Sequence, residues 1–234
     1  MGLLTENTSA NEQYAVAEQT WSSIDVIAPG IFVYHDVLPP QLKIVEILEN
    51  YLTSNKDGAK WLQAAVGYNQ LMPGYRDCVD FKFKTSIHGG TPSSECAKLL
   101  CEMYDITRHR QLQAVKDYSA TFKIGEMRYW EATNFVKYGV GHHFAEHTDH
   151  GFSYNCTVSL VGYANDDYAG GEIEFGLWGI KFKPRAGDLV VFPSNFIYPH
   201  RSLAVESGIK YSLVTMLDYS DKFHNQSFYQ ETGS

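Results

Sequence analysis

The chain is poor in charge, poor in paired cysteine and free of long apolar runs, and each shortage closes a class of explanation. Only 20% of its 234 residues are charged, and 14% are aromatic. That balance excludes a disordered tail, a coiled coil or a collagenous rod. The four cysteines, Cys78, Cys96, Cys101 and Cys156, form no CxxC pair, so neither a disulfide framework nor a zinc knuckle is expected. No stretch has the length and apolarity of a signal peptide or membrane span. With the unpaired thiols, this predicts a cytoplasmic protein with no membrane partner. Met1-Gly2 opens like a myristoylation site, but Glu6 stands where that motif needs Ser or Thr. Lys and Arg number 19 against 27 Asp and Glu, a net charge of −8, which repels polyanions and predicts no nucleic-acid partner. A local basic pocket is still compatible with that balance.

What the chain does have is the length for one domain with a substantial core. Residues 1–20 read as a flexible leader, 21–225 as a single domain and 226–234 as a tail. From Pro39, the residues Leu42, Val45, Leu48, Tyr51 and Leu52 recur at helical spacing until Asp57-Gly58. Thr91-Pro92, a capping residue before Pro at the first helical position, predicts the start of a second helix. Its expected apolar face is Leu99, Leu100, Met103 and Tyr104. Residues 67–90 mix Gly, Pro, Tyr and charge, and read as strands joined by a mobile loop. After about residue 121, β-branched and aromatic runs at 128–138, 153–163, 171–175, 188–192, 198–205 and 209–217 alternate with turn signals. Helices first and short strands later predict a mainly β fold, a jelly roll with N-terminal supporting α-helices.

Four of the nine histidines fall between positions 142 and 150. On a helix, His143 and His147 would share a face, but a zinc-protease helix needs Glu directly after its first His, and Phe144 is there. On a strand, His147 and Asp149 project from one face. Imidazole plus carboxylate is two thirds of a facial triad for non-haem Fe(II). The third ligand is then a distant His on a neighbouring strand, and His200 is the histidine of the downstream β run. His142, His143 and His150 read as rim residues. A three-residue turn at 206–208 would pair Lys210 with Ala204 and place it on the face of His200. The four-residue offset, roughly 13 Å, suits a His stem, a five-carbon diacid and a lysine stem. Lys210 is therefore expected to hold the far carboxylate of a metal-bound diacid.

Taken together, these motifs resemble a known family. Tyr138-Gly139-Val140-Gly141 precedes His147-Thr148-Asp149. Gly170-Gly171-Glu172-Ile173-Glu174-Phe175 and Pro184-Arg185-Ala186-Gly187-Asp188 with Phe192 follow, and His200, Gly208 and Lys210 complete the series. This resembles the iron- and 2-oxoglutarate-dependent dioxygenases, specifically the prolyl 4-hydroxylase type, over about residues 121–218. The resemblance implies a double-stranded β-helix with helical support. It implies His147, Asp149 and His200 as iron ligands and Lys210 as the anchor of the 2-oxoglutarate C5 carboxylate. Tyr138 and Tyr163 fall where the family places hydroxyls near the cosubstrate. Many relatives use Arg as anchor; an ammonium lacks the guanidinium fork, so Lys210 should need a hydroxyl, and Ser212 is on its predicted face. Phe144 stands where many relatives have Tyr, a departure that bears on the substrate side.

The implied reaction consumes 2-oxoglutarate and O₂, releases succinate and CO₂ and hydroxylates an unactivated C–H, with ascorbate as a reductant. The implied partner is a proline-containing protein or peptide, and residues 67–85 with Arg76 fall where relatives carry a substrate-covering loop. Trp130, Phe144, Trp178, Phe182 and Phe192 are the expected water-excluding wall. Two alternatives stay open: a dioxygenase of the same class acting on another side chain or small molecule, and a cupin-like metal-binding barrel without turnover. Lys210 separates the second from the rest, because a bare metal site does not require it.

Overall fold

A computed structural model describes residues 19–54, 58–67, 69–84, 92, 94–151, 154–222 and 224. Nearly all of the expected leader, all of the tail and the helix-start residue Thr91 lie outside the described residues. The first elements are β1 (Ile24–Ala28), β2 (Ile31–Tyr34), α1 (Ile44–Ser54), β3 (Leu62–Gln63), β4 (Arg76–Asp77), β5 (Val79–Phe83) and α2 (Glu95–Phe122). Then come β6 (Tyr129–Trp130), β7 (Thr133–Tyr138), β8 (His143–His147), β9 (Val158–Tyr163), β10 (Ala169–Gly170) and β11 (Ile173–Phe175). The last are β12 (Ile180–Phe182), β13 (Leu189–Pro193), β14 (His200–Ser202), β15 (Val205–Ser207) and β16 (Lys210–Asp218).

A major antiparallel sheet runs β1-β2-β13-β9-β16-β7-β5-β3, with β6 beside β16. A minor sheet runs β12-β11-β14-β8-β4, and β10 pairs with β15. This is the expected jelly roll. The β1–β2 hairpin, turned at Pro29-Gly30, extends the major sheet and was not among the predicted strands.

The major sheet is covered on both faces, which explains its nearly continuous apolar strands. Leu160, Leu189, Val191 and Leu213 point outward to Leu48, Leu52, Leu100, Met103 and Tyr118 of the two helices. Their strand neighbours Val161, Tyr163, Val190 and Phe192 point inward to Ile173 and Phe175 of the minor sheet. On β16 the alternation is sharper: Leu213 and Leu217 serve the helical layer, while Lys210, Ser212 and Val214 face the cavity between the sheets. Leu160 is fully buried beneath the helices, so Leu160→Ala should lower stability by about 2–5 kcal/mol, read as a lower urea midpoint at unchanged slope.

The second helix starts later than Thr91-Pro92 suggests. Ser94 is its N-cap, accepting from the Ala97 N–H at 3.2 Å, and Leu99 is exposed while Leu100, Met103 and Tyr104 are buried. A serine cap satisfies an orphan donor whatever precedes it, so the earlier Thr-Pro signal loses.

A larger correction concerns the turn before Lys210. The 206–208 turn closes no hairpin: β15 pairs with β10, and Lys210 on β16 pairs with Tyr138 on β7. Gly208 (φ +77°) carries the chain from one sheet to the other, and a Cβ there would lie 2.8 Å from the Asp167 carbonyl. His200 and Lys210 therefore belong to opposite sheets and approach across the barrel.

Candidate active site

β8 and β14 are antiparallel neighbours in which His147 lies directly opposite His200. Two residues that far apart in sequence thus become a cross-strand pair, with ring centroids 4.4 Å apart. Asp149 follows in the bend just beyond β8 rather than on the strand. Its Oδ1 lies 3.5 Å from His147 Nε2 and its Oδ2 3.7 Å from His200 Nε2. One ligand atom from each of the three residues falls within 4.8 Å of the others.

The surroundings set the chemistry of each donor. His147 Nδ1 faces the Ala145 carbonyl at 2.8 Å, and His200 Nδ1 faces the Tyr198 carbonyl at 3.1 Å. An N–H donated there leaves each Nε2 lone pair directed at Asp149. The hydroxyl of Ser159, itself fully buried, donates to Asp149 Oδ2 at 2.6 Å and meets Ser194 Oγ at 2.7 Å. Burial pushes the Asp149 carboxyl up, but His200, His147 and the Ser159 hydroxyl outweigh it and hold it well below the usual range. Burial pushes the His200 imidazole down to about 4, against the pull of Asp149. Two imidazoles and one carboxylate, converging on one point and oriented by hydrogen bonds, are a donor set that fits iron. Ser159→Ala should weaken metal binding about 10–100-fold, measurable by metal titration.

Lys210 is 2% exposed. Its Nζ donates to Ser202 Oγ at 2.7 Å and to the Gly171 carbonyl at 2.8 Å. It lies 5.0 Å from the Tyr138 ring and 5.4 Å from the Tyr163 ring. Burial pushes the ammonium down to about 7. The hydroxyl beside Lys210 is thus that of Ser202; Ser212 shares the face but lies two residues along β16. Ser202 follows His200 by two positions on the same strand, a periodicity from which it was readable in the sequence.

A cavity of ≈ 1080 Å³ brings His147, Asp149, His200, Lys210, Tyr138, Tyr163, Ser202 and Ser212 together. Phe144 stacks on the His147 ring at 3.7 Å, and Phe192 meets the His200 ring edge-on at 4.7 Å. Trp130 is part of the helix-facing core, and Trp178 and Phe182 pack beside the inner core without lining the cavity. Phe175, not among the expected wall residues, lies 5.7 Å from the His200 ring. Arg76 lines the cavity with its guanidinium 4.9 Å from the Phe144 ring, bonded to the Ala65 carbonyl at 2.7 Å. His150 braces a loop by hydrogen bonding to Cys156, and neither it nor His142 and His143 joins the triad. Asp188 of the Pro-Gly segment is structural, bonded to His35 at 2.7 Å.

Residues 133–217 match the family model of the 2OG-Fe(II) oxygenase superfamily. No curated protein matches the sequence. Among solved structures, the viral collagen prolyl hydroxylase of Paramecium Bursaria Chlorella virus-1, a 2OG complex, is similar at 17% identity and TM-score 0.56, covering 80% of this chain and 94% of the other. A Trichoplax adhaerens prolyl hydroxylase bound to a hypoxia inducible factor peptide fragment is similar at 15% identity and TM-score 0.58, covering 80% and 83%. A Pseudomonas putida prolyl-4-hydroxylase is similar at 19% identity and TM-score 0.55, covering 82% and 93%. At these identities the likeness concerns the fold. Among the described residues, no helix is long and apolar enough to cross a membrane.

Proposed function

We propose that this chain, which carries a 2OG-Fe(II) oxygenase domain at residues 133–217, hydroxylates peptidyl proline using Fe(II), 2-oxoglutarate and O₂. The observation that carries the reading is one cavity holding both a His-Asp-His set and, from the opposite sheet, a buried lysine. A metal alone has no use for the second. His147, Asp149 and His200 would hold the iron, and Lys210 with the Ser202 hydroxyl would bind the far carboxylate of the cosubstrate. Tyr138 and Tyr163, whose rings lie beside the Lys210 ammonium, would flank that carboxylate, and Ser212 lines the same cavity. When bound, iron supplies the oxidation: 2-oxoglutarate is decarboxylated to succinate and one oxygen atom enters a C–H bond. The chain's own work is positioning and exclusion. Phe144 and Phe192 pack the two imidazoles and keep water from them, and the carbonyls of Ala145 and Tyr198 fix their orientation.

Proline as target is supported by the three similar structures, each a prolyl hydroxylase, and by a cavity whose lining includes Leu62, Val66, Tyr75 and Arg76. Residues 21–225 act as a single domain in this reading, with the chemistry in 121–218. Incubating the Fe(II)-loaded protein with 2-oxoglutarate and a proline-containing peptide library should yield succinate and peptides heavier by one oxygen at proline. Oxygen gained only on other residues or on small molecules would overturn the proline assignment, and no 2-oxoglutarate turnover with any substrate would favour a metal-binding module.

A further inference from the structure

Lys210 opens β16, and on one side of it the sheet runs out. β7 pairs with it through Tyr138, but the β9 ladder stops at Tyr163, opposite Ser212. Main-chain groups of successive residues point to opposite sides of a strand, so those of Ile209 and Tyr211 turn toward β9 while those of Lys210 turn toward β7. Past Tyr163, the Ala164 N–H still donates to the Tyr211 carbonyl at 3.0 Å. Asn165 follows, where the chain bends away after Ala164. A strand end short of ladder bonds frays, and this one carries the anchor lysine.

The Asn165 carboxamide takes the place of the missing strand. Its Oδ1 accepts from the Tyr211 N–H at 2.7 Å, and its Nδ2 donates to the Ile209 carbonyl at 2.7 Å. One side chain thus holds the main chain on both sides of Lys210. Nδ2 also donates to Asp167 Oδ1 at 2.6 Å, which fixes the plane of the amide. Its partners permit one orientation, because the carbonyl and carboxylate only accept and the N–H only donates. The lysine stem is confined as well: a Cβ on Gly171 (φ +66°) would lie 3.2 Å from Lys210 Cδ. At the tip, Nζ is held by the Gly171 carbonyl and Ser202 Oγ. A lysine is ordinarily a point charge on a flexible stem. Here both ends are tied, so the ammonium cannot slide toward or away from the triad.

We propose that Asn165 is the positioning residue of Lys210 and, through it, sets the length of the 2-oxo diacid that the cavity accepts. The inference rests on the reading of Lys210 as the cosubstrate anchor. Asn165 is not among the residues lining the cavity, so it acts only through the main chain of β16. A fixed ammonium and a fixed triad define one span, which a five-carbon diacid fills. A six-carbon homologue has to push one end out of place, and the brace at Asn165 resists that at the lysine end.

The test titrates the Mn(II)-loaded protein calorimetrically with 2-oxoglutarate and with 2-oxoadipate, which is one methylene longer. A methylene in a fitted site is worth about 10–200-fold in discrimination, and the parent protein should favour 2-oxoglutarate within that range. Asn165→Ala should weaken 2-oxoglutarate about tenfold and 2-oxoadipate much less, so that the preference nearly disappears. Asp167→Ala, at an exposed position that tethers only the amide, should shift the preference the same way by a smaller factor. Metal titration, which reads the triad on the other sheet, is the folding control. A purely structural role would weaken both acids equally. That result, an unchanged preference in both variants, or no preference in the parent protein would overturn the proposal. If the parent protein binds neither acid, the cosubstrate reading falls, and amide hydrogen exchange decides the brace by itself. Faster exchange confined to residues 210–212 in Asn165→Ala then upholds Asn165 as the residue that positions Lys210; unchanged or sheet-wide exchange overturns it.

Discussion

Lys210→Met should raise the 2-oxoglutarate concentration for half-maximal turnover by about two to three orders of magnitude while leaving metal binding within a fewfold of the parent protein. The size follows from burial. Removing one partner of a buried, hydrogen-bonded charge pair costs about 3–5 kcal/mol, because the other charge is left without compensation. Here Lys210 is 2% exposed and already bonded to Ser202 and Gly171, so a carboxylate would enter a preformed cradle. The same burial predicts a pH dependence with a definite sign. Without ligand the ammonium is pushed down to about 7, and only the protonated form attracts a carboxylate. Affinity should be constant below pH 7 and fall about tenfold per unit above it, until the pH reaches the raised value of the liganded state. Calorimetric titration with 2-oxoglutarate between pH 6 and 9 reads it. Lys210→Arg should flatten the profile, since a guanidinium stays charged throughout. A flat profile in the parent protein would remove Lys210 from the anchor role.

The second large effect is expected at Asp149. Asp149→Ala should lower succinate formation by at least about a hundredfold, because even groups that merely orient ligands cost 10–100-fold when removed. The loss goes beyond one ligand: Ser159 loses its acceptor, and two imidazoles are left facing each other with no anion between them. Metal titration and succinate assay on one preparation separate loss of binding from loss of turnover. Retained turnover would place the chemistry elsewhere in the cavity.

Much of this site could be read from local spacing. His147 and Asp149 are two residues apart, and His200 stands out as the histidine of the downstream β run. The two-residue period points to Ser202 as directly as to Ser212, because Ser202 shares a face with His200 just as Ser212 does with Lys210. Other residues gave no sequence signal at all. Ser159 belongs to a strand whose pattern reads as plain core, and its contact with Asp149 depends on a bend that alternation does not describe. Asn134 looks like an ordinary polar break in a strand until its neighbours show that, among the described residues, nothing bonds its oxygen. The helix start slipped to Ser94 because two capping signals lay within four residues, and local chemistry alone does not rank them.

By itself, the sequence determined the mainly β architecture, since alternation and turn residues are properties of a few neighbouring positions. It also determined the order of the motifs and the residue types at the triad, because metal coordination demands particular side chains whatever the fold. Only the tertiary structure decided how Lys210 reaches the site. A hairpin and a crossover between sheets require the same Ser207-Gly208 turn, and the choice depends on which strand edge is free to pair. β7 and β9 take β16 from both sides, so the lysine enters from the opposite sheet, and a chain of net charge −8 holds a buried cation in the cavity that the Asp149 carboxylate also lines.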